Sequence, residues 1–217
     1  MKYPQTLHLP WSPGLSRGDK RAKSIPGILG TEIVISEKLD GSNVCLSRER
    51  VFARTHSSRP THESFDCLKA IHAVKCRSLP AGVQLFGEWC YAVHTIKYAD
   101  LPRYLFVIGV LDGSNWWNWD EIESLSSQLG LSTVPVLFRG SFKRQQELIS
   151  KTEDLAGSPS IYGGEREGLV VRKVGAFPSG DFSRFVFKWV RKDHVQSDEH
   201  WLNKPIDKNR LRKGAEP

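Results

Sequence analysis

No apolar run in the 217 residues approaches the roughly 20 needed to cross a bilayer, so no membrane span is expected. The start, MKYPQTLHLPWSPG, lacks the apolar core of a secretion signal, which leaves a cytoplasmic location as the expectation. The four cysteines, Cys45, Cys67, Cys76 and Cys90, include no CxxC pair. Their separations do not suit a zinc knuckle, and reduced, mostly buried thiols in a reducing compartment are expected. There is no GxxxxGK[ST], which excludes a P-loop as the phosphate holder, and no GxGxxG dinucleotide fingerprint. The dispersed histidines contain no HExxH or HxH pair, so no built-in metal motif is read from them. Gly14-Leu-Ser-Arg-Gly does match GxSxG, but it follows Pro-Trp-Ser-Pro in a loop, whereas a nucleophile elbow needs a strand before it.

What remains is an ordinary globular composition, 39% hydrophobic and 25% charged, with a formal net charge of +7. A basic balance favours an anionic partner, commonly nucleic acid, although a merely basic enzyme has the same balance. Residues 11 to 30 are rich in Pro, Gly, Lys and Arg and read as a surface loop. Strands are predicted at Glu32–Lys38, Asn43–Arg48, Val51–Thr55, Val83–Trp89, Tyr104–Leu111, Gly168–Lys173 and Phe185–Arg191, the last two as a hairpin. Thr61 is expected to cap a helix with Phe65, Leu68, Ile71 and Val74 on one face. A second helix with Ile122, Leu125 and Leu129 inward should stop at Gly130, and a third, roughly 143 to 156, at Gly157. The stretch from Asp198 is polar and expected to be helical in part. Strands and helices without regular βα alternation predict an α+β domain, and no repeat divides the chain.

Four patterns recur in an order that suits nucleotidyl transfer. Glu37-Lys38-Leu39-Asp40-Gly41-Ser42-Asn43 puts a lysine at a strand end before an Asp-Gly turn, presenting an amine to a cleft. An unperturbed lysine has a pKa of about 10.4, so the nucleophile would need burial and a nearby cation, such as a bound metal, to lower it. Gly41 suits the tight turn, and Asn43 could bond phosphate or ribose. Phe86-Gly87-Glu88-Trp89 sets a carboxylate in an apolar strand, where it requires a partner. Glu167-Gly168-Leu-Val-Val-Arg172-Lys173 repeats that arrangement, and Phe187-Lys188-Trp189-Val190-Arg191 adds cations. Singly, each reads as well as a turn lysine or a structural ion pair.

Together, KLDGSN, FGEW, EGLVVRK and FKWV resemble motifs I, III, IV and V of the covalent nucleotidyltransferases, the superfamily of ATP-dependent DNA ligases, RNA ligases and capping enzymes. The likeness is greatest to the RNA ligase 2-like branch and runs from position 37 to 191. It implies one largely antiparallel adenylation domain over 1–217, flanked by helices, without an OB domain: only 26 residues, Lys192 to Pro217, follow motif V. It implies an ATP-dependent RNA ligase using Mg²⁺ or Mn²⁺, acting on RNA ends or nicks, as a monomer. By motif, Lys38 would form lysyl-AMP, Glu37 would touch the adenine side, and Glu88 would bind ribose. Glu167 would place the metal, and Lys188 would contact the α-phosphate. Arg54 resembles the motif Ia arginine at the ribose or nucleic-acid end.

Two departures stand out. Motif V usually carries a second lysine where Val190 stands, so Arg191 or Lys192 would have to substitute. The adenine-stacking position falls on Ile108, with Phe106 expected two residues away on the same face. Arg54, Arg59, Arg191 and Lys192 are the candidate nucleic-acid contacts. The basic tail, with Trp201, Lys204, Lys208 and Arg210, would either grip a phosphate backbone or pack on the domain. The rival readings are a small DNA ligase or capping-type guanylyltransferase, both of which carry an OB domain, and a non-catalytic nucleic-acid-binding relative.

Overall fold

A computed structural model describes residues 2–16, 18–54, 60–192, 194 and 206–216. Two sheets stand face to face. The first holds five strands in the order β1 (Leu7–His8), β12 (Val186–Val190), β10 (Gly168–Lys173), β2 (Ile33–Lys38) and β9 (Val136–Gly140). The second runs β11 (Phe177–Pro178), β7 (Asn115–Trp116), β6 (Leu105–Asp112), β5 (Val83–Trp89), β3 (Ser42–Leu46) and β4 (Val51–Ala53), with β8 (Ser132–Thr133) paired to β6. All pairings are antiparallel except β1 with β12 and β6 with β8. The predicted hairpin is present in register, Gly168 opposite Val190.

Strand alternation decides which side chains meet. On β2, Ile33 and Ile35 join Leu9, Ile25, Ile28 and Leu148 in one core, under α3 (Gln145–Ala156). Val34 points the other way, and so do Ser36 and Lys38, which reach the gap between the sheets. On the second sheet Val44, Leu46, Leu85 and Trp89 pack with α1 (Asp66–Lys75) and α2 (Trp119–Gln128), while Cys45 and Phe86 face inward. α2 begins in a capping box from Asn118 and Glu121 and ends before Gly130 (φ 60°), and α3 ends at Gly157, as the sequence predicts. The cysteines are free, with Cys45 and Cys90 buried and Cys67 and Cys76 half-buried.

Two expectations change, and the one for the stretch from Asp198 falls partly outside the described residues. The segment from 11 to 30 is irregular but not superficial: Ala22, Ile25 and Ile28 are buried, because the chain folds back over the outer face of the first sheet. Around α1 the cap is His62, opening a short 3-10 turn, and the buried face is Phe65, Leu68 and His72. Val74 lies 78% exposed, because His72, one turn after Leu68, takes the inward position and bonds the Ser47 carbonyl. Near the C-terminus, residues 206–216 contain no helix and lie against the domain, and Asp198 to Pro205 fall outside the described residues. No helix among the described residues is long and apolar enough to cross a membrane.

Candidate active site

A cavity of about 470 Å³ opens between the sheets. The first sheet contributes Ser36, Glu37, Lys38, Val170, Arg172 and Lys188, and the second Asn43, Glu88 and Ile108. Arg54 lies at its margin, and Lys2 to Thr6 run along one side. Lys38 ends β2 opposite Gly168, so the residue before that glycine, Glu167, comes directly against it. Glu167 Oε1 contacts Lys38 Nζ, and His194 Nε2 lies 3.2 Å from the same oxygen. Glu167 is buried, and its other oxygen has no partner.

The turn after Lys38 is built tightly. Asp40 Oδ2 accepts the Thr95 and Ile96 amides at 2.7 and 2.8 Å, and the Asp40 amide donates to the Tyr98 hydroxyl at 2.8 Å. Gly41 is required by space rather than by turn conformation, since a Cβ there would stand 2.6 Å from the Trp89 carbonyl. Its amide donates to Glu88 Oε1 at 3.1 Å, supplying the partner that the strand carboxylate needs. Burial still pushes the Glu88 carboxyl up to about 7, aided by the nearby Glu167 and Asp40 charges and opposed by Lys38.

Burial alone would lower the Lys38 pKa, but the fields of Glu167, Glu88 and Asp40 outweigh it, and the ammonium is held above its usual range. The free chain therefore stores Lys38 protonated, in contrast to the lowered pKa expected of a nucleophile. Asp40, Glu167 and His194 bring one ligand atom each within 4.8 Å of one another, a set that fits a divalent cation of the Mg²⁺ or Mn²⁺ kind with one nitrogen donor. The unpartnered Glu167 oxygen supports that fit. Asp40 sits inside the sequence motif, but its ligand geometry does not show there. His194 is delivered from beyond β12, and no local pattern announces it.

The other candidates are distributed unevenly. Glu37 lines the cavity with one carboxylate oxygen, Oε2, engaged by Arg166 at 3.5 Å and the Ile161 amide at 3.3 Å, and the buried Oε1 without a partner. Ile108 reaches the cavity through a register shift in the pairing of β5 with β6: Phe86 faces Gly109 and Gly87 faces Val107, leaving Ile108 as the extra residue. That shift breaks the expected alternation, so Phe106 packs on Tyr162 (ring centroids 5.3 Å apart) outside the cavity. Lys188 lines the cavity and pairs with Asp19. Arg191 instead pairs with Glu165 at 2.6 Å, and neither it nor the exposed Lys192 borders the cavity. Arg59 lies outside the described residues. Arg172, to which the sequence motif gave no role of its own, is buried among Trp119 and Phe177 and donates to the carbonyls of Ile108 and Trp117.

The RNA ligase family model matches residues 31–190, a span holding all four motifs and every strand of both sheets but β1. The chain belongs to the RNA ligase family. A search of curated proteins gave no match. Among solved structures, this RNA ligase family member is similar to the Naegleria gruberi RNA ligase in several forms. A variant with ATP and Mn aligns at 20% identity and TM-score 0.58, covering 82% of this chain and 56% of that one. An apo variant aligns at 19% and 0.56, covering 77% and 51%, and the form with pyrophosphate at 21% and 0.53, covering 82% and 56%. The chain thus spans about half the length of those proteins, and the likeness is one of fold.

Proposed function

We propose that this chain is the adenylating unit of an ATP-dependent RNA ligase, taking AMP from ATP onto Lys38 and passing it to the 5′-phosphate of an RNA end. The observation that carries the reading is the contact of Lys38 with Glu167 in a cleft that also presents Glu88 and Lys188. The Lys38 amine forms a P–N bond to the α-phosphorus as the P–O bond to pyrophosphate breaks. The ammonium proton must leave to solvent first, since the touching Glu167 carboxylate has to stay ionised to hold a cation. A divalent cation held by Asp40, Glu167 and His194 would screen the triphosphate and withdraw the carboxylate field that keeps Lys38 protonated. Lys188 offers the cleft a cation for the α-phosphate, Glu88 and Asn43 lie opposite each other for the ribose, and Ile108 provides an apolar surface for the base. Most of the rate then comes from positioning and electrostatics.

In the second half of the reaction, a 3′-hydroxyl displaces AMP from the adenylated 5′-phosphate, closing a phosphodiester. Discrimination of RNA requires reading a 2′-hydroxyl near the join, and Arg54 at the cavity margin is the described residue best placed to do so. The test uses matched nicked duplexes that differ only in ribose or deoxyribose at the 3′-hydroxyl terminus, with ATP and Mn²⁺ or Mg²⁺. Sealing that requires ribose there, and tolerates DNA on the 5′-phosphate side, supports the reading. Equal rates for both would make the chain a general polynucleotide ligase, and use of GTP in place of ATP would favour a capping-type transferase.

A further inference from the structure

The N-terminal segment does more than add an edge strand. β1 runs parallel to β12 with His8 opposite Lys188, and the chain then follows β12 closely. The Leu9 amide donates to the Lys188 carbonyl at 2.8 Å, and the Gly14 amide to the Val190 carbonyl at 2.9 Å. A Cβ at Gly14 would stand 2.2 Å from the Arg191 carbonyl, so only glycine permits this approach. The chain returns at Lys20 to Ala22, bonding both sides of the His8 backbone, and this brings Asp19 to the cavity wall.

There, four side chains join in series. Lys188 Nζ donates to Asp19 Oδ1 at 2.9 Å, His8 Nε2 lies 2.9 Å from Asp19 Oδ2, and His8 Nδ1 lies 2.9 Å from Ser12 Oγ. Ser12 Oγ accepts the Val190 amide at 2.9 Å, returning the series to the strand that bears Lys188. The order Ser–His–Asp is that of a hydrolase triad, but Ser12 is 1% exposed and its oxygen is already committed, so no substrate can reach it. The Asp19 carboxylate accepts, so His8 Nε2–H donates to it, and the Ser12 hydroxyl, 3.5 Å from the Val190 carbonyl and 2.9 Å from Nδ1, can donate to either. Burial pushes the His8 pKa down, which agrees with a neutral ring. Asp19 then carries a single negative charge, and Lys188 is the cation that pairs with it among the described residues.

A carboxylate beside a proposed phosphate site repels its ligand unless it has another task. We infer that Asp19, held by His8 and Ser12, is the positioning residue for Lys188, fixing the one motif V lysine that this chain retains. The inference rests on the adenylation reading, for which Lys188 is the α-phosphate contact. A lysine with a free four-carbon stem would lose rotamer entropy on every engagement, and the Asp19 bond takes that loss before the nucleotide arrives. With Val190 in place of a second lysine, aim matters more for the first.

The experiment has two arms on the full chain. Lysine Cε and Nζ resonances are followed by NMR, with Lys188 assigned by its loss in Lys188→Met. In Asp19→Asn the Lys188 signals should move to the positions of solvent-exposed lysines. In the second arm, self-labelling with α-labelled ATP and Mn²⁺ should slow by about 10-fold in Asp19→Asn, with part of the rate restored in Asp19→Glu and little change in melting temperature. Unmoved Lys188 signals, or labelling within about 2-fold of the parent, would overturn the positioning role. A parent chain that takes no label defeats the adenylation reading instead, and the NMR arm still decides whether Asp19 holds Lys188.

Discussion

At the residue scale, the site is a balance of buried charges that a cation and a nucleotide would re-set. Glu88 shows the cost of holding it ready. Its carboxyl is pushed up to about 7, above the ordinary 4.5, so the folded chain binds a proton there that the unfolded chain has released. Stability should therefore fall as pH rises from about 4.5 through about 7 and then level off. Glu88→Gln should remove that fall, gaining about 1–2 kcal/mol over the parent at pH 8 and little at pH 5, since the cavity leaves the carboxylate partly open to solvent. Chemical denaturation of both proteins at the two pH values checks this, and a constant difference would contradict it. Glu167 should behave otherwise, because it both touches Lys38 and offers a metal ligand. Glu167→Ala should lose self-labelling by at least about 100-fold, with raised Mn²⁺ restoring little of it. The four motif residues were legible because each lies in a short contiguous pattern. Asp19, His8 and His194 were not: Asp19 meets Lys188 across 169 positions of chain, His194 reaches Asp40 and Glu167 only through the fold, and His8 gains meaning only once Lys188 is beside it.

At the scale of elements, the long strands were legible from alternation and the helix ends from Gly130 and Gly157. The two-residue strands β1, β7, β8 and β11 were not, since two residues carry no period. Nor was the Ile108 bulge, which is a property of the pairing of β5 with β6 and not of either sequence. The bulge turns Ile108, not Phe106, into the cavity, where the proposed reading puts the base. Ile108→Ala should weaken ATP binding by about 1–2 kcal/mol, roughly 5- to 30-fold, as calorimetry would measure. Phe106→Leu should act on stability alone. The C-terminal segment is the other surprise. Asn209 is 2% exposed and binds the Cys90 and Ala92 carbonyls and the Tyr98 amide, clamping the loop whose Thr95, Ile96 and Tyr98 hold Asp40. Of the two expectations for the tail, packing on the domain describes residues 206–216. Asn209→Ala should cost about 2–3 kcal/mol of stability and slow self-labelling, whereas a tail that served only to grip RNA would leave labelling intact.

At the scale of the whole molecule, two sheets contribute opposite walls of one cleft, and the N-terminal segment spans them. It is tied to the first sheet by β1 and to the second by Tyr3, whose ring packs on Phe86 and Trp116. A ligand filling the cleft would bind both walls of the folded chain, so ATP with Mn²⁺ should stabilise it, by linkage about 2.7 kcal/mol at 100 times the dissociation constant, and raise the melting temperature. Lys38 is proposed as the nucleophile that comes to carry AMP. Incubation with α-labelled ATP and Mn²⁺, denaturing electrophoresis and mapping of the labelled peptide test it most directly. The account predicts AMP retained on the denatured chain, on the peptide containing Lys38, and absent from a folded Lys38→Ala protein. Full labelling of that variant, or AMP on another lysine, would contradict it.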